Sequence, residues 1–155
     1  MIERPLRIYI DTSVFGGYFE DEFLTPTRKL FDEITGGRFI PVISATVSAE
    51  IRRAPEHVQE LFDRTLESSD FAMATDKAQD LRSAFLKAGV VTAQSNLDAH
   101  HVALAFTSNC QAIVSWNFRH IVHFKKIPVY NAIAKIMGYS EIDICSPAEV
   151  LDYGA

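Results

Sequence analysis

The chain is expected to form an α/β fold, with a parallel sheet covered by helices on both faces. Two observations lead there. Strand-like and helix-like segments alternate from one end of the sequence to the other, without repeat, linker or low-complexity tract. The strand-like runs are short and continuously apolar, as in Ile8-Tyr9-Ile10 and Ala112-Ile113-Val114, which is the pattern of strands buried on both sides.

The elements follow in order. Arg7–Ile10 reads as the first strand. Thr25-Pro26 supplies a cap and a proline at the first helical position. Leu30, Phe31 and Ile34 recur at helical spacing, and Gly36-Gly37 stops that helix. Phe39–Ile43 is the second strand, with Pro41 arguing against a central place for it. Helical character returns around Thr46–Arg53 and Glu56–Leu66. Phe71–Ala74 is a short third strand. Asp76 is expected to cap a helix whose inner face is Ala78, Leu81, Ala84, Phe85 and Ala88 and whose end is Gly89. A strongly apolar helix begins at Leu97-Asp98. Ala112–Ser115 is a buried strand, and a helix around Ala132–Met137 ends at Gly138. A last strand, Ile142–Cys145, precedes Ser146-Pro147-Ala148-Glu149, which has the form of a capping box.

Bulk numbers narrow the class. The 155 residues suit one domain, 1–155, and 48% of them are apolar, enough for a proper core. No apolar run reaches the roughly 18–20 residues that span a bilayer. Met1-Ile2-Glu3-Arg4-Pro5 lacks the apolar stretch of a signal peptide. The expectation is a cytoplasmic protein that avoids membranes. Cys110 and Cys145 form neither a zinc spacing nor a CxxC pair, and read as buried reduced thiols. The formal net charge is −5, yet Ala99–Ser140 contains no Asp or Glu and carries Arg119, Lys125, Lys126, Lys135 and four of the five histidines. Such asymmetry gives an acidic protein one face suited to an anion, unless the stretch is simply a solvated face.

Four residues stand where elements begin or end. Asp11 closes the first strand, followed by the hydroxyls of Thr12 and Ser13. Glu50 lies in the Ala-rich helical stretch Ala45–Ile51. Asp98 opens the apolar helix, and Asn117 follows the strand Ala112–Ser115. In a parallel α/β sheet these termini converge on one edge, where ligands bind. Three carboxylates and an amide oxygen there make an all-oxygen set for a hard divalent cation. Each residue also has a plainer reading. Asp11, Thr12 and Asp98 are ordinary helix caps, Glu50 beside Arg52 and Arg53 is an ordinary ion-pairing residue, and Asn117 is an ordinary turn residue. His100 and His101 suggest zinc, but a compact motif such as HExxH is missing. Beyond Asn117, Arg119, His120, Lys125 and Lys126 alternate with apolar and aromatic residues, which suits phosphate contacts with some base stacking.

The ordered set Ile8-Tyr9-Ile10-Asp11-Thr12-Ser13-Val14, Ser48-Ala49-Glu50-Ile51, Leu97-Asp98-Ala99-His100-His101-Val102 and Ile113-Val114-Ser115-Trp116-Asn117 resembles a PIN domain of the kind found in VapC-type toxins of toxin–antitoxin pairs. The resemblance runs from Arg7 to about Leu151. It implies a three-layer α/β/α fold and a ribonuclease dependent on Mg2+ or Mn2+. The ligands it implies are Asp11, Asp98 and Glu50, with Asn117, Thr12 and Ser13 completing the shell. The family's last acidic position is Asn117 here. The resemblance also implies an RNA substrate, a homodimer and a cognate antitoxin, and Phe15-Gly16-Gly17-Tyr18-Phe19 is either an exposed partner-holding stretch or a loop packed on its own domain. Rival readings are a non-catalytic PIN module that binds RNA or protein, a phosphoacceptor receiver domain and a haloacid-dehalogenase-like phosphatase. A receiver needs an acidic pair after the first strand and a Lys after the last; the phosphatase needs Asp where Ser13 stands. Both sets are missing.

Overall fold

The computed structural model describes residues 4–153. Five parallel strands form one sheet: β1 (Leu6–Ile10), β2 (Phe39–Ser44), β3 (Asp70–Ala72), β4 (Ala112–Val114) and β5 (Asp143–Cys145), in the order β3-β2-β1-β4-β5. The chain builds outward from β1 through β2 to β3, then returns to add β4 on the other flank of β1. The strand order therefore reverses between β1 and β4. That is the place where parallel α/β sheets open a crevice at their carboxyl edge.

The helices are α1 (Thr12–Gly17), α2 (Leu24–Thr35), α3 (Ala45–Ile51), α4 (Glu56–Leu66), α5 (Asp76–Lys87), α6 (Asn96–Thr107), α7 (Ile127–Ile136) and α8 (Pro147–Val150). They fall into two packed groups, α5 with α6 and α7, and α1 with α2, α3 and α4, with α8 on α2. The sheet lies between them, giving the three-layer α/β/α arrangement. Ile8, Tyr9 and Ile10 are fully buried because β1 is the middle strand with a layer on each face. In α6 every residue from Ala99 to Phe106 is buried, which explains why that helix is apolar all round rather than along one stripe.

Several sequence expectations need correction. Pro41 does lie in an inner strand, paired with Ile8. It is tolerated there because pairing of β2 with β3 starts one residue later, at Val42 and Asp70, so no β3 partner stands at its level. Helix α5 is capped by Thr75, whose hydroxyl accepts from Ala78 N, while Asp76 sits in the first turn. Helix α2 starts at Leu24, one residue before Thr25, with no side-chain cap, and Gly37 ends it at φ +84. The third strand starts at Asp70 and stops at Ala72. Helix α7 begins at Ile127, a turn and a half before Ala132, with Pro128 in its first turn. The stretch Phe15–Phe19 is not an exposed loop. It belongs to α1 and its end, with Phe15 fully buried against Phe31 and Phe62 and with Tyr18 and Phe19 packed on the core. The capping box at Ser146 and Glu149 is present as read. Both cysteines are free and buried, and burial pushes each thiol up to about 12. No helix among the described residues is long and apolar enough to cross a membrane.

Candidate active site

Asp11 follows β1 directly and Ser115 follows β4 directly. The parallel register Ile10–Val114 continues through a bond from Asp11 N to Val114 O, so the two residues meet across the switch point. Ser115 Oγ donates to Asp11 Oδ2 at 2.8 Å, and Ser13 Oγ, on the second residue of α1, donates to the same oxygen at 2.8 Å. Asp11 is 5% exposed and tolerates that burial because both hydroxyls serve it. The pair also organises the next loop: Trp116 N donates to Ser13 Oγ and Asn117 N to Ser115 Oγ.

Glu50 reaches the same edge from α3. Its Oε1 accepts from His101 Nε2 at 2.8 Å, and that nitrogen lies 3.7 Å from Asp11 Oδ1. Burial pushes the Glu50 carboxyl up, but the hydrogen bond and charge of His101 outweigh it and bring the carboxyl below its ordinary value. The same contacts act in reverse on His101. Burial lowers it, the Glu50 bond and the charges of Asp11, Glu50 and Asp98 raise it, and the net direction is upward.

Asp98 stands in the first turn of α6. Its Oδ1 accepts from Asn117 Nδ2 at 3.0 Å. Burial pushes this carboxyl up, and the negative charges of Asp11 and Glu50 add to the effect over the opposing pull of His120 and His101. The three carboxylates therefore share one electrostatic neighbourhood. Asn117 departs from the sequence reading. Its amide oxygen accepts from His120 N at 2.9 Å and Arg119 N at 3.2 Å, so it closes the turn and is not turned to a cation. Its amide nitrogen is what faces the site.

One pattern joins these contacts. On each carboxylate the hydrogen bonds fall on a single oxygen: Oδ2 of Asp11, Oε1 of Glu50 and Oδ1 of Asp98. The second oxygen of each accepts no hydrogen bond among the described residues, leaving three hard oxygen donors of the type Mg2+ or Mn2+ takes. The donor chemistry fits such an ion. The cage is not pre-assembled, because no three His, Cys, Asp or Glu side chains among the described residues already converge as ligands of one metal. Thr12 opens α1 beside Asp11, and its hydroxyl is buried without a hydrogen-bond partner among the described residues.

The basic segment is brought to this edge only in part. Arg119 is exposed and His120 half-buried, both tied through their backbone N–H groups to Asn117. Lys125 is exposed beside the outward ring of Phe124. Lys126 is committed elsewhere, its ammonium donating to Val90 O at 2.8 Å. Sequence reasoning missed Ser115 and the role of His101. Ser115 becomes visible once β1 and β4 are paired in register, since it then stands level with Asp11. His101 gives no local signal, because its partner lies 51 residues away.

A likeness in fold and a match in sequence point the same way. The crystal structure of VapBC2 from Rickettsia felis bound to a DNA fragment from their promoter superposes with a TM-score of 0.55 at 20% identity, over 79% of this chain and 94% of the other. No curated protein sequence matches significantly. The PIN domain family model matches residues 7–119, well over half of the chain and spanning all four positions from Asp11 to Asn117, and so this chain belongs to the PIN domain family.

Proposed function

We propose that this PIN domain is an endoribonuclease that works with Mg2+ or Mn2+ and serves as the toxin of a toxin–antitoxin pair. The observation that carries the reading is the set of three carboxylates at the strand-order reversal, each held by one oxygen and open at the other. A divalent cation in such a site supplies charge neutralisation at the scissile phosphate and hydroxide near neutral pH. Asp11 and Asp98 would hold it, and Glu50, through its open oxygen, would complete the shell directly or through a bound water and orient the attacking water. Ser13 and Ser115 keep Asp11 aimed, and Asn117 does the same for Asp98. Arg119, His120 and Lys125 would meet RNA phosphates, with the outward rings of Phe118 and Phe124 for bases to stack on.

The toxin reading draws on the likeness in fold to a VapBC2 complex. Its partners are then a cognate antitoxin and a second copy of the chain. The exposed Val129, Ile136 and Met137 on and just beyond α7 support a protein partner on that side. A non-catalytic binding module is the second reading, favoured by the neutral Asn117 at the family's last acidic position.

The deciding experiment incubates purified protein with a mixed RNA pool in EDTA, Mg2+ or Mn2+, beside Asp98→Asn, which keeps an acceptor for Asn117. Metal-dependent cutting should fall at least about 100-fold in the variant, in line with the loss of one pre-organised electrostatic contact. Equal cutting by both proteins, or none by a folded wild type in any metal, rejects the nuclease reading.

A further inference from the structure

Glu50 is by nature the loosest of the three carboxylates. It has one more rotatable bond than an aspartate, it sits on a helix of seven residues, and its side chain is 34% exposed. Such a glutamate drifts into water unless something holds it, since ordering a long flexible side chain costs conformational entropy.

What holds it is buried. The side chain of His101, 2% exposed, points its Nε2 at Glu50 Oε1. An ionised carboxylate only accepts, so Nε2 carries the proton. The other ring nitrogen, Nδ1, lies 2.7 Å from Tyr9 Oη, which lies 2.8 Å from Ser44 Oγ, which accepts from Val47 N at 3.2 Å. In the neutral imidazole Ser44 donates to Tyr9 and Tyr9 to Nδ1; in the imidazolium Nδ1 donates to Tyr9 and Tyr9 to Ser44; in both, Nε2–H points at Glu50. Burial keeps the Tyr9 phenol protonated by pushing it well above its ordinary value. Both ends of the chain are on α3. Val47 and the capping Ser44 hold its start, Glu50 its end, and the path between them passes through β1 and α6.

We propose that His101 is a positioning residue for Glu50, fixing its carboxylate beside Asp11, with Tyr9 and Ser44 locking the imidazole in the orientation that does so. A core histidine kept only for packing accounts for the burial and the Tyr9 contact. It does not account for a donor spent on a carboxylate that water already reaches. The neighbouring His100 supplies the contrast: it is also buried, bonds Thr46 Oγ1 at 3.0 Å, and makes no hydrogen bond to a site carboxylate among the described residues. The consequence for catalysis rests on the nuclease reading above; the positioning itself does not.

The test uses the full chain as His101→Phe, His101→Gln, Tyr9→Phe and, as control, His100→Phe, each checked for folding by thermal unfolding. In a crystal structure of metal-free His101→Phe the Glu50 side chain should leave Asp11 and point to solvent. By calorimetry Mn2+ affinity should fall about 10–100-fold, the usual cost of losing a group that orients a metal ligand. His101→Gln, whose amide can still donate, should recover most of that loss, Tyr9→Phe should fall between, and His100→Phe should match wild type. On RNA, kcat should drop in parallel while KM stays level. Glu50 unmoved together with unchanged Mn2+ affinity in His101→Phe, or in Tyr9→Phe and His101→Gln if the first variant does not fold, overturns the proposal. If wild type cuts no RNA while Glu50 still swings away in the variant, the nuclease reading falls and the positioning role stands.

Discussion

Asp11, Glu50 and Asp98 are all acids at one sheet edge, yet each is steadied by a different chemistry: two serine hydroxyls, a buried imidazole and a carboxamide. The nature of each clamp follows from depth. Asp11, the most buried, takes two short neutral donors that add no charge. Half-exposed Glu50 takes the one group able to carry charge. Asn117 exchanges a fourth negative charge, which would repel Asp98 in the absence of a cation, for a neutral donor. At this scale His100 also predicts a pH effect. Burial, then the charges of His101 and Arg82, push it from 6.5 down to about 4, and its Nδ1 has no partner among the described residues. As pH falls below about 6.5 the unfolded chain gains a proton there, whereas the folded ring stays neutral until about 4. The stabilising contribution present above pH 6.5 is therefore lost as pH drops through that window. Urea unfolding in EDTA at pH 7.5 and at pH 5 should show a larger loss of stability for wild type than for His100→Phe. An equal loss in both would place the effect elsewhere.

Among elements, α1 is the one that sequence patterning hides. Its six residues Thr-Ser-Val-Phe-Gly-Gly have two glycines and too little length for a helical period, and so they read as a loop. Packing makes the helix: Val14 and Phe15 are fully buried, and Gly17 lets Trp116 approach. A Cβ on Gly17 would stand 2.6 Å from Trp116 Nε1, the atom that donates to Thr27 Oγ1 at 2.9 Å. Gly17→Ala should thus cost about 1–3 kcal/mol by overpacking. Because the chain has a single tryptophan, its fluorescence should also shift as the ring leaves Phe23 and Thr27. Unchanged stability and emission would show that α1 yields instead. The long periodic elements α4 and α5 were legible within a residue or two, because their apolar stripes are read by position alone. The start of α7 lies five residues before the sequence expectation although Pro128 marks it, because the basic pair Lys125-Lys126 just upstream interrupts the apolar pattern.

For the molecule as a whole, the order β3-β2-β1-β4-β5 is what makes a site out of residues 104 positions apart, by placing the ends of β1 and β4 side by side. A cation that bridges acids from β1, α3 and α6 ties three separate segments together and binds only the folded chain. Under the nuclease reading Mn2+ should therefore raise the melting temperature, by about 2.7 kcal/mol of added stability at 100 times its dissociation constant. Asp11→Asn, which keeps acceptors for Ser13 and Ser115, should remove most of that gain in a thermal scan. A wild type that melts at the same temperature with and without Mn2+ would count against the site. The sequence by itself determined the fold class, most of the elements and the identity of the four edge positions, because burial on both faces and residues at element ends leave local, additive marks. Only the tertiary structure decided that Ser115 and His101 serve the carboxylates, that Asn117 turns its nitrogen to Asp98, and that Lys126 is spent on Val90. Those choices depend on strand register and on contacts between residues 19 to 104 positions apart, and no local pattern encodes a hydrogen bond of that reach.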